Sequence, residues 1–102
     1  MPRVKVAFFN EIAEGGLKKV EAGGEPIALY KLGGQIYATS NTCTHEGCII
    51  DENHQMHNDV VECTCHGSQF DIKTGAVILP PAIEPLKTYK TEVVGEEIYV
   101  EV

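Results

Sequence analysis

The chain alternates short hydrophobic stretches with glycine- and proline-rich turns along almost its whole length. Most stretches alternate apolar and polar residues or are rich in β-branched and aromatic side chains, a pattern typical of half-buried strands. Turn residues such as the Gly33-Gly34 pair separate one stretch from the next. The pattern predicts eight strands, at residues 4–8, 17–20, 26–30, 35–40, 60–62, 69–71, 88–94 and 97–100.

Short strands joined by turn signals predict an all-β fold, a small antiparallel β-sandwich or barrel. The stretches "LGGQIY" at residues 32–37 and "VGEEIY" at residues 94–99 predict hairpin turns. The single helical candidate is residues 9–15, which would form one turn capped by Asn10. A length of 102 residues suits one domain, residues 1–102.

The segment 41–59 is too long and too polar for a plain connection, which predicts a functional loop. The motif "CTHEGC" at residues 43–48 lies inside it, and "CTCHGSQF" at residues 63–70 follows closely. Cys43 and His45 form C-x-H, and Cys63 and His66 form C-x-x-H. Ligands so close together on a tight loop can face one metal centre. Thiolate and imidazole donors suit zinc, or iron in a mixed-ligand cluster.

Two other interpretations of these residues remain open at this point. The two Cys–His pairs would make a structural zinc site, which gives no role to "HGS" or to the two further cysteines. All four cysteines would alternatively form disulfides, although a secreted framework needs a signal that the short apolar run at residues 6–9 does not supply. A further pair, His54 and His57, lies in the polar stretch "ENHQMHND" and is predicted to be solvated surface.

Net charge narrows the classes of partner. Fifteen acidic and eight basic residues give a formal charge of −7, which argues against nucleic acid and anionic membranes. The charge favours a basic protein partner, or serves solubility alone. No run of 18 apolar residues is present, so no membrane span is predicted.

The paired motifs resemble those of the Rieske iron–sulfur family, whose pattern is C-x-H, a gap of about this length, then C-x-x-H. The stretch "PPAIEPLKTY" at residues 80–89 looks like the proline loop of that family. The resemblance covers about residues 33–102. It implies a Rieske-like antiparallel fold with a cluster-binding insertion at about residues 41–82, made of two loops.

The resemblance also implies the ligands of one [2Fe–2S] cluster. Cys43 and Cys63 would bind one iron as thiolates, and His45 and His66 would bind the other as imidazoles. Two neutral imidazoles in place of thiolates raise the reduction potential above that of four-Cys ferredoxins.

Cys48 and Cys65 stand where high-potential members of the family carry a disulfide that joins the two loops. Members that serve oxygenases as ferredoxins usually lack this pair. The pair therefore favours the high-potential branch.

Several further positions are expected to tune the cluster. Ser68 matches a family serine whose hydroxyl donates to a cluster sulfide, and Gly67 completes the "HGS" motif. Phe70 stands where the high-potential branch has a tyrosine, so one hydrogen-bond donor is missing. Pro80 and Pro81 are expected to form a wall over the cluster.

These features predict an electron-transfer protein rather than an enzyme, a free-standing one-electron carrier of intermediate potential. Its expected partners are a reductase and an oxygenase or oxidase with a basic docking face, in the cytoplasm. The alternative is a Rieske subunit or soluble domain of a larger redox complex, of cytochrome bc or arsenite oxidase type. Glu46 opposes it, because quinol-oxidising members commonly have an apolar residue there. A disulfide is unusual in mesophile cytosol, so a hyperthermophile source, an extracytoplasmic location and reduced thiols all remain open.

Overall fold

The computed structural model describes residues 3–44 and 47–102, and the regular secondary structure of these residues is almost entirely β-strand. A short 3-10 turn, Phe9–Glu11, follows the first strand. No helix among the described residues is long and apolar enough to cross a bilayer. The strands are β1 Arg3–Phe8, β2 Leu17–Ala22, β3 Glu25–Leu32, β4 Gln35–Ser40, β5 His54–His57, β6 Val60–Cys63, β7 Ser68–Asp71, β8 Val77–Leu79, β9 Thr88–Tyr89, β10 Thr91–Val94 and β11 Glu97–Glu101.

The strands form three antiparallel sheets, which confirms the predicted all-β class. The first sheet has the order β1-β11-β10, and the second has the order β2-β3-β4-β9. The third, β5-β6-β7-β8, lies within the predicted cluster-binding insertion. Both predicted hairpins form, because Gly33, Gly34 and Gly95 supply the left-handed backbone that tight turns require.

Strand β3 is the wall between two hydrophobic cores. Ile27 and Leu29 belong to the first core, with side chains from β1, β2, β4 and β11. Ala28 and Tyr30 belong to the second core, on the side of the Cys–His motifs. Successive side chains of a strand point to opposite faces, which explains why four consecutive residues of β3 are buried.

Tyr30 is fully buried in the second core, and its hydroxyl is hydrogen-bonded to Thr39. The Thr39 hydroxyl donates to the Ser40 carbonyl oxygen at 3.0 Å, so it accepts from the Tyr30 hydroxyl at 2.8 Å. Burial raises the pKa of Tyr30 to about 12. The ring is therefore neutral and structural at physiological pH.

Three details differ from the sequence prediction. Strand β5 was expected to be loop, but its polar residues pair with β6 across an Asn58-Asp59 turn in which Asn58 has a φ of 61°. Strand β8 was also missed. The strand predicted at residues 88–94 breaks at Lys90, because β9 pairs with β4 while β10 pairs with β11.

The predicted helical turn is shorter than expected and has a different cap. It spans only Phe9–Glu11, with Phe8 at the capping position, so the prediction of Asn10 as cap is wrong. The Glu11 carboxylate instead reaches back and accepts from the Phe8 backbone N–H at 2.6 Å. The chain therefore passes from β1 through this short turn into the loop that leads to β2.

Candidate metal centre

The first ligand loop, residues 43–48, is closed like a small hairpin. Thr42 and Ile49 form an antiparallel bridge just outside it, and the Cys43 N–H donates to the Cys48 carbonyl oxygen at 2.7 Å. Cys43 is only 2% exposed. His45, one of the four predicted ligands, and Glu46 lie outside the described residues.

The second ligand loop, residues 63–68, joins β6 to β7. Cys63 pairs with Ser68 across the two strands, and the Gly67 N–H donates to the Cys63 carbonyl oxygen at 2.9 Å. Gly67 has a φ of 82°, a left-handed conformation that favours glycine. The turn leaves Cys63 buried and His66 exposed at the surface.

The fold brings the two ligand loops together against the second core. Cys43 and Cys63 belong to the same cluster of buried side chains as Phe70, which is fully buried. Two thiols held away from water on separate loops, with the His66 imidazole at the surface, make a sulfur and nitrogen donor set of the kind that iron and zinc bind.

A disulfide joins the two ligand loops. Cys48 and Cys65 are bonded through their sulfur atoms, with Cα atoms 6.6 Å apart and a sequence separation of 17. The Cys63 sulfur lies within 4.8 Å of both sulfurs of this pair. Neither Cys43 nor Cys63 is part of the bond, so the four cysteines divide into one bridge and two candidate ligands.

Replacing Cys48 and Cys65 together by serine should destabilise the protein without removing the candidate ligands. On the chain-entropy model, a bridge closing a loop of this length contributes about 3 kcal/mol to the free energy of unfolding. Guanidinium unfolding of the parent and the double variant, without reductant, measures the difference. Equal unfolding midpoints would show that the bridge contributes nothing to stability.

The hydrogen bonding of the buried Ser68 hydroxyl indicates whether the site suits an iron–sulfur cluster. Ser68 is 1% exposed, and its oxygen accepts from the Ala82 backbone N–H at 3.0 Å. Its own hydrogen finds no acceptor among the hydrogen bonds of the described residues, although a buried hydroxyl ordinarily donates. A sulfide held between the two ligand loops would be such an acceptor, so the residues present fit a [2Fe–2S] cluster.

The proline loop, residues 80–85, is hydrogen-bonded to both ligand loops. Ala82 donates to Ser68 behind the second loop, and the Thr44 hydroxyl of the first loop donates to the Glu84 carbonyl oxygen at 2.7 Å. Pro80 and Pro81 are joined by a cis peptide and are both exposed. The proline loop therefore lies beside the candidate centre.

The second histidine pair does not form a metal site. His54 and His57 are three apart in β5 and so point to opposite faces of the strand. His57 is exposed, with its Nε2 2.8 Å from a carboxylate oxygen of Glu62, as a surface residue would be. His54 is half-buried opposite Cys63, so the prediction of solvated surface is wrong for it.

Two residues that the sequence prediction did not single out, Asn41 and Asp51, hold the base of the first ligand loop. Asn41 is fully buried although it is polar. The only signal was position, because Asn41 lies two residues before Cys43 and Asp51 three residues after Cys48.

An all-β protein that presents buried thiols and an exposed imidazole on two disulfide-linked loops has the features of a metal-binding electron carrier. The model of the Rieske [2Fe-2S] domain family matches residues 3–90, and the chain belongs to that family. The family match supports an iron–sulfur cluster over the zinc site.

Known relatives agree with this class. The chain is 34% identical over 101 residues to the ferredoxin component of biphenyl 2,3-dioxygenase from Rhodococcus jostii, covering 99% of this chain and 94% of the relative. It is similar to the solved ferredoxin of carbazole 1,9a-dioxygenase from Nocardioides aromaticivorans, with a TM-score of 0.92 and 29% identity, over 98% of this chain and 97% of that one. It also matches a chain in a solved complex of oxygenase and ferredoxin in carbazole 1,9a-dioxygenase, with a TM-score of 0.89 and 35% identity, over 96% of this chain and 91% of that one.

These similarities confirm three of the predictions. The protein is a Rieske-type electron carrier, it holds one [2Fe–2S] cluster, and it is a carrier rather than an enzyme. The cysteine pair favoured the high-potential branch of the family, whereas these relatives are named as ferredoxins of dioxygenase systems.

Proposed function

We propose that this protein is a free-standing Rieske ferredoxin that carries single electrons from a reductase to an oxygenase. The observation that supports this most directly is end-to-end similarity to the ferredoxin component of a dioxygenase, which the chain matches over 94% of its length. The relatives named above are ferredoxins, which favours a separate carrier over the alternative of a subunit in a larger redox complex.

In the proposed ligand set, Cys43 and Cys63 hold one iron, and His45 and His66 hold the other. Burial of the two thiols supports the first pair, because it keeps water from the sulfur ligands. The exposed position of His66 supports the second pair, because electron exchange needs a short path to a partner. When bound, the cluster supplies one-electron storage.

Neighbouring residues are proposed to adjust the site. The buried Ser68 hydroxyl has a hydrogen to donate towards a sulfide, which stabilises added negative charge. Gly67 supplies the turn that exposes His66. Phe70 packs beneath the loops without a hydroxyl to donate. Pro80 and Pro81 form the adjoining wall.

We propose that residues 1–102 are a single Rieske domain, with residues 41–82 as its cluster-binding insertion. The third sheet and both ligand loops fall within this range. The second core supports the single domain, because in it side chains of the proposed insertion pack against side chains of β3.

The docking face of the partners is proposed to be basic. Residues 41–82 contain six acidic residues and only one basic residue, Lys73, which gives this segment a formal charge of −5 out of the total −7. Exposed apolar side chains lie in and next to the proline loop, and Ile83 is 89% exposed. An apolar patch in acidic surroundings suits a partner with an apolar centre and a basic rim.

Electron transfer through the protein should therefore slow as salt is added. A reductase and a dioxygenase of a relative's system supply the assay, with the rate of electron delivery measured from low to physiological ionic strength. Glu84→Gln, in the proline loop, should weaken the salt dependence. Glu96→Gln, at the exposed β10–β11 turn, is the matched control and should behave as the parent.

The outcomes separate the two parts of this proposal. A protein that accepts no electron from the reductase would contradict the carrier function. A rate that does not respond to salt, or that rises with it, would contradict the basic docking face alone.

We also propose that the protein works in the cytoplasm, in line with a partnership with a reductase and an oxygenase. A structural disulfide in that compartment is characteristic of hyperthermophiles.

A further inference from the structure

Two polar residues, the buried Asn41 and the half-buried Asp51, close the base of the first ligand loop. The Asn41 side-chain amide donates to an Asp51 carboxylate oxygen at 2.8 Å, and the Asp51 backbone N–H donates to the Asn41 side-chain oxygen at 3.0 Å. Asn41 is 0% exposed. Both polar ends of this amide are therefore used, which is what a buried amide requires. We name this pair the Asn41–Asp51 clamp.

The backbone of Asn41 attaches the clamp to the second sheet. Its N–H donates to the Pro26 carbonyl oxygen at 3.1 Å, and its carbonyl oxygen accepts from the Ile50 N–H at 2.8 Å. Pro26 belongs to β3, the strand shared by the two cores. The start and the end of the first ligand loop are thus both fixed to the rigid part of the protein.

The other side of the clamp reaches β5, which pairs with β6, the strand that leads to the second ligand loop. The His54 Nδ1 lies 2.9 Å from the Ile50 carbonyl oxygen and 3.2 Å from that of Asp51. His54 is the register partner of Cys63 in the β5–β6 pair. The clamp therefore sets where Cys43 lies relative to Cys63.

We infer that Asn41 and Asp51 are positioning residues for the cluster ligand Cys43, and that they act in parallel with the Cys48–Cys65 disulfide. The inference rests on the proposed ligand set. The clamp restrains the loop at its base, and the disulfide restrains it at Cys48, five residues beyond Cys43. When two restraints hold one loop, loss of either is partly covered by the other, so their joint loss costs more than the separate losses combined.

Asn41→Ala should speed the release of the cluster, because it removes the clamp and leaves the half-buried Asp51 carboxylate without its donor. We expect release to a chelator, followed as bleaching of the visible absorbance, to be about tenfold faster than in the parent. The g-values of the reduced protein in EPR should shift as well, because the ligand geometry changes. A residue that served only overall stability would leave the g-values unmoved.

Position 51 provides a graded series and a control. Asp51→Asn keeps an oxygen that accepts from Asn41, so it should stay near the parent, whereas Asp51→Ala should resemble Asn41→Ala. Asp59→Ala makes the same truncation at an exposed acid in the β5–β6 turn and should have no effect. This series still decides the question if Asn41→Ala does not fold.

Combining Asn41→Ala with Cys48→Ser and Cys65→Ser tests the parallel action. Release from this triple variant should exceed the product of the separate accelerations. The inference is overturned if Asn41→Ala and Asp51→Ala both release the cluster at the parent's rate with unchanged g-values, or if the effects simply multiply. A parent protein without a Rieske-type spectrum would instead overturn the proposed function, so the two failures are distinguishable.

Discussion

Replacement of His66 by alanine should abolish the Rieske-type optical and EPR spectrum of the purified protein. Two imidazole ligands on one iron give such a cluster its character, and the other imidazole of the proposed set, His45, already fills its own position on that iron. His66 is exposed, so its removal leaves the hydrophobic core intact. Spectra of the reduced and oxidised variant, recorded with the iron content of the sample, provide the measurement.

His57→Ala is the matched control, because His57 is also an exposed histidine within the proposed insertion. It should keep the full spectrum. Thermal unfolding of the cluster-free forms should be similar for the two variants, which separates loss of a ligand from loss of the fold. An unchanged spectrum in His66→Ala would reject the ligand assignment.

Gly75→Ala should be among the most destabilising single changes in this chain. Gly75 is buried with a φ of 80°, and a Cβ there would overlap the carbonyl oxygen of Leu86. The Gly75 carbonyl oxygen accepts from the Leu86 N–H at 2.8 Å, so the two backbones are already in direct contact. We expect a loss of more than about 4 kcal/mol in the free energy of unfolding. Losses of this size are exceptional for a single substitution and indicate a specific cause, here a steric conflict.

Gly33→Ala separates the steric conflict from the backbone effect. Gly33 also has a positive φ, 60°, but a Cβ there would meet no atom within 4 Å. Gly33→Ala should lower the free energy of unfolding by about 1–2 kcal/mol, which is the cost of a left-handed backbone at a residue with a Cβ. Denaturant unfolding of both variants measures the difference. Equal losses would mean that the Leu86 backbone moves aside without cost.

The strands that sequence patterns predicted correctly are those with an apolar face, several of which follow a glycine turn. Alternation along β4 and β11, bounded by glycines, is visible without knowledge of the partner strands. Strand β5 was missed because His54–His57 is polar and has little alternation of its own. Its strand conformation depends on pairing with β6, which a local pattern does not contain.

The same limit applies to the candidate site. Cys43 and Cys63 were singled out because they complete the C-x-H and C-x-x-H spacings that resemble the Rieske motif, which is a local signal. The Asn41–Asp51 clamp and the bond from Ala82 to Ser68 join residues 10 and 14 positions apart through side chains. Such partnerships follow from how the loops close, so they appear only in the folded chain.

Strand β3 has a consequence for how the protein comes apart. Ile27 and Leu29 complete one core while Ala28 and Tyr30 complete the other, so the chain offers no plane along which the halves could separate. Local opening of either half would expose apolar surface of the other, so we expect the two halves to unfold together. We expect the shared strand to limit how far the protein rearranges when it gains or loses an electron, and a small rearrangement favours fast electron exchange in both directions.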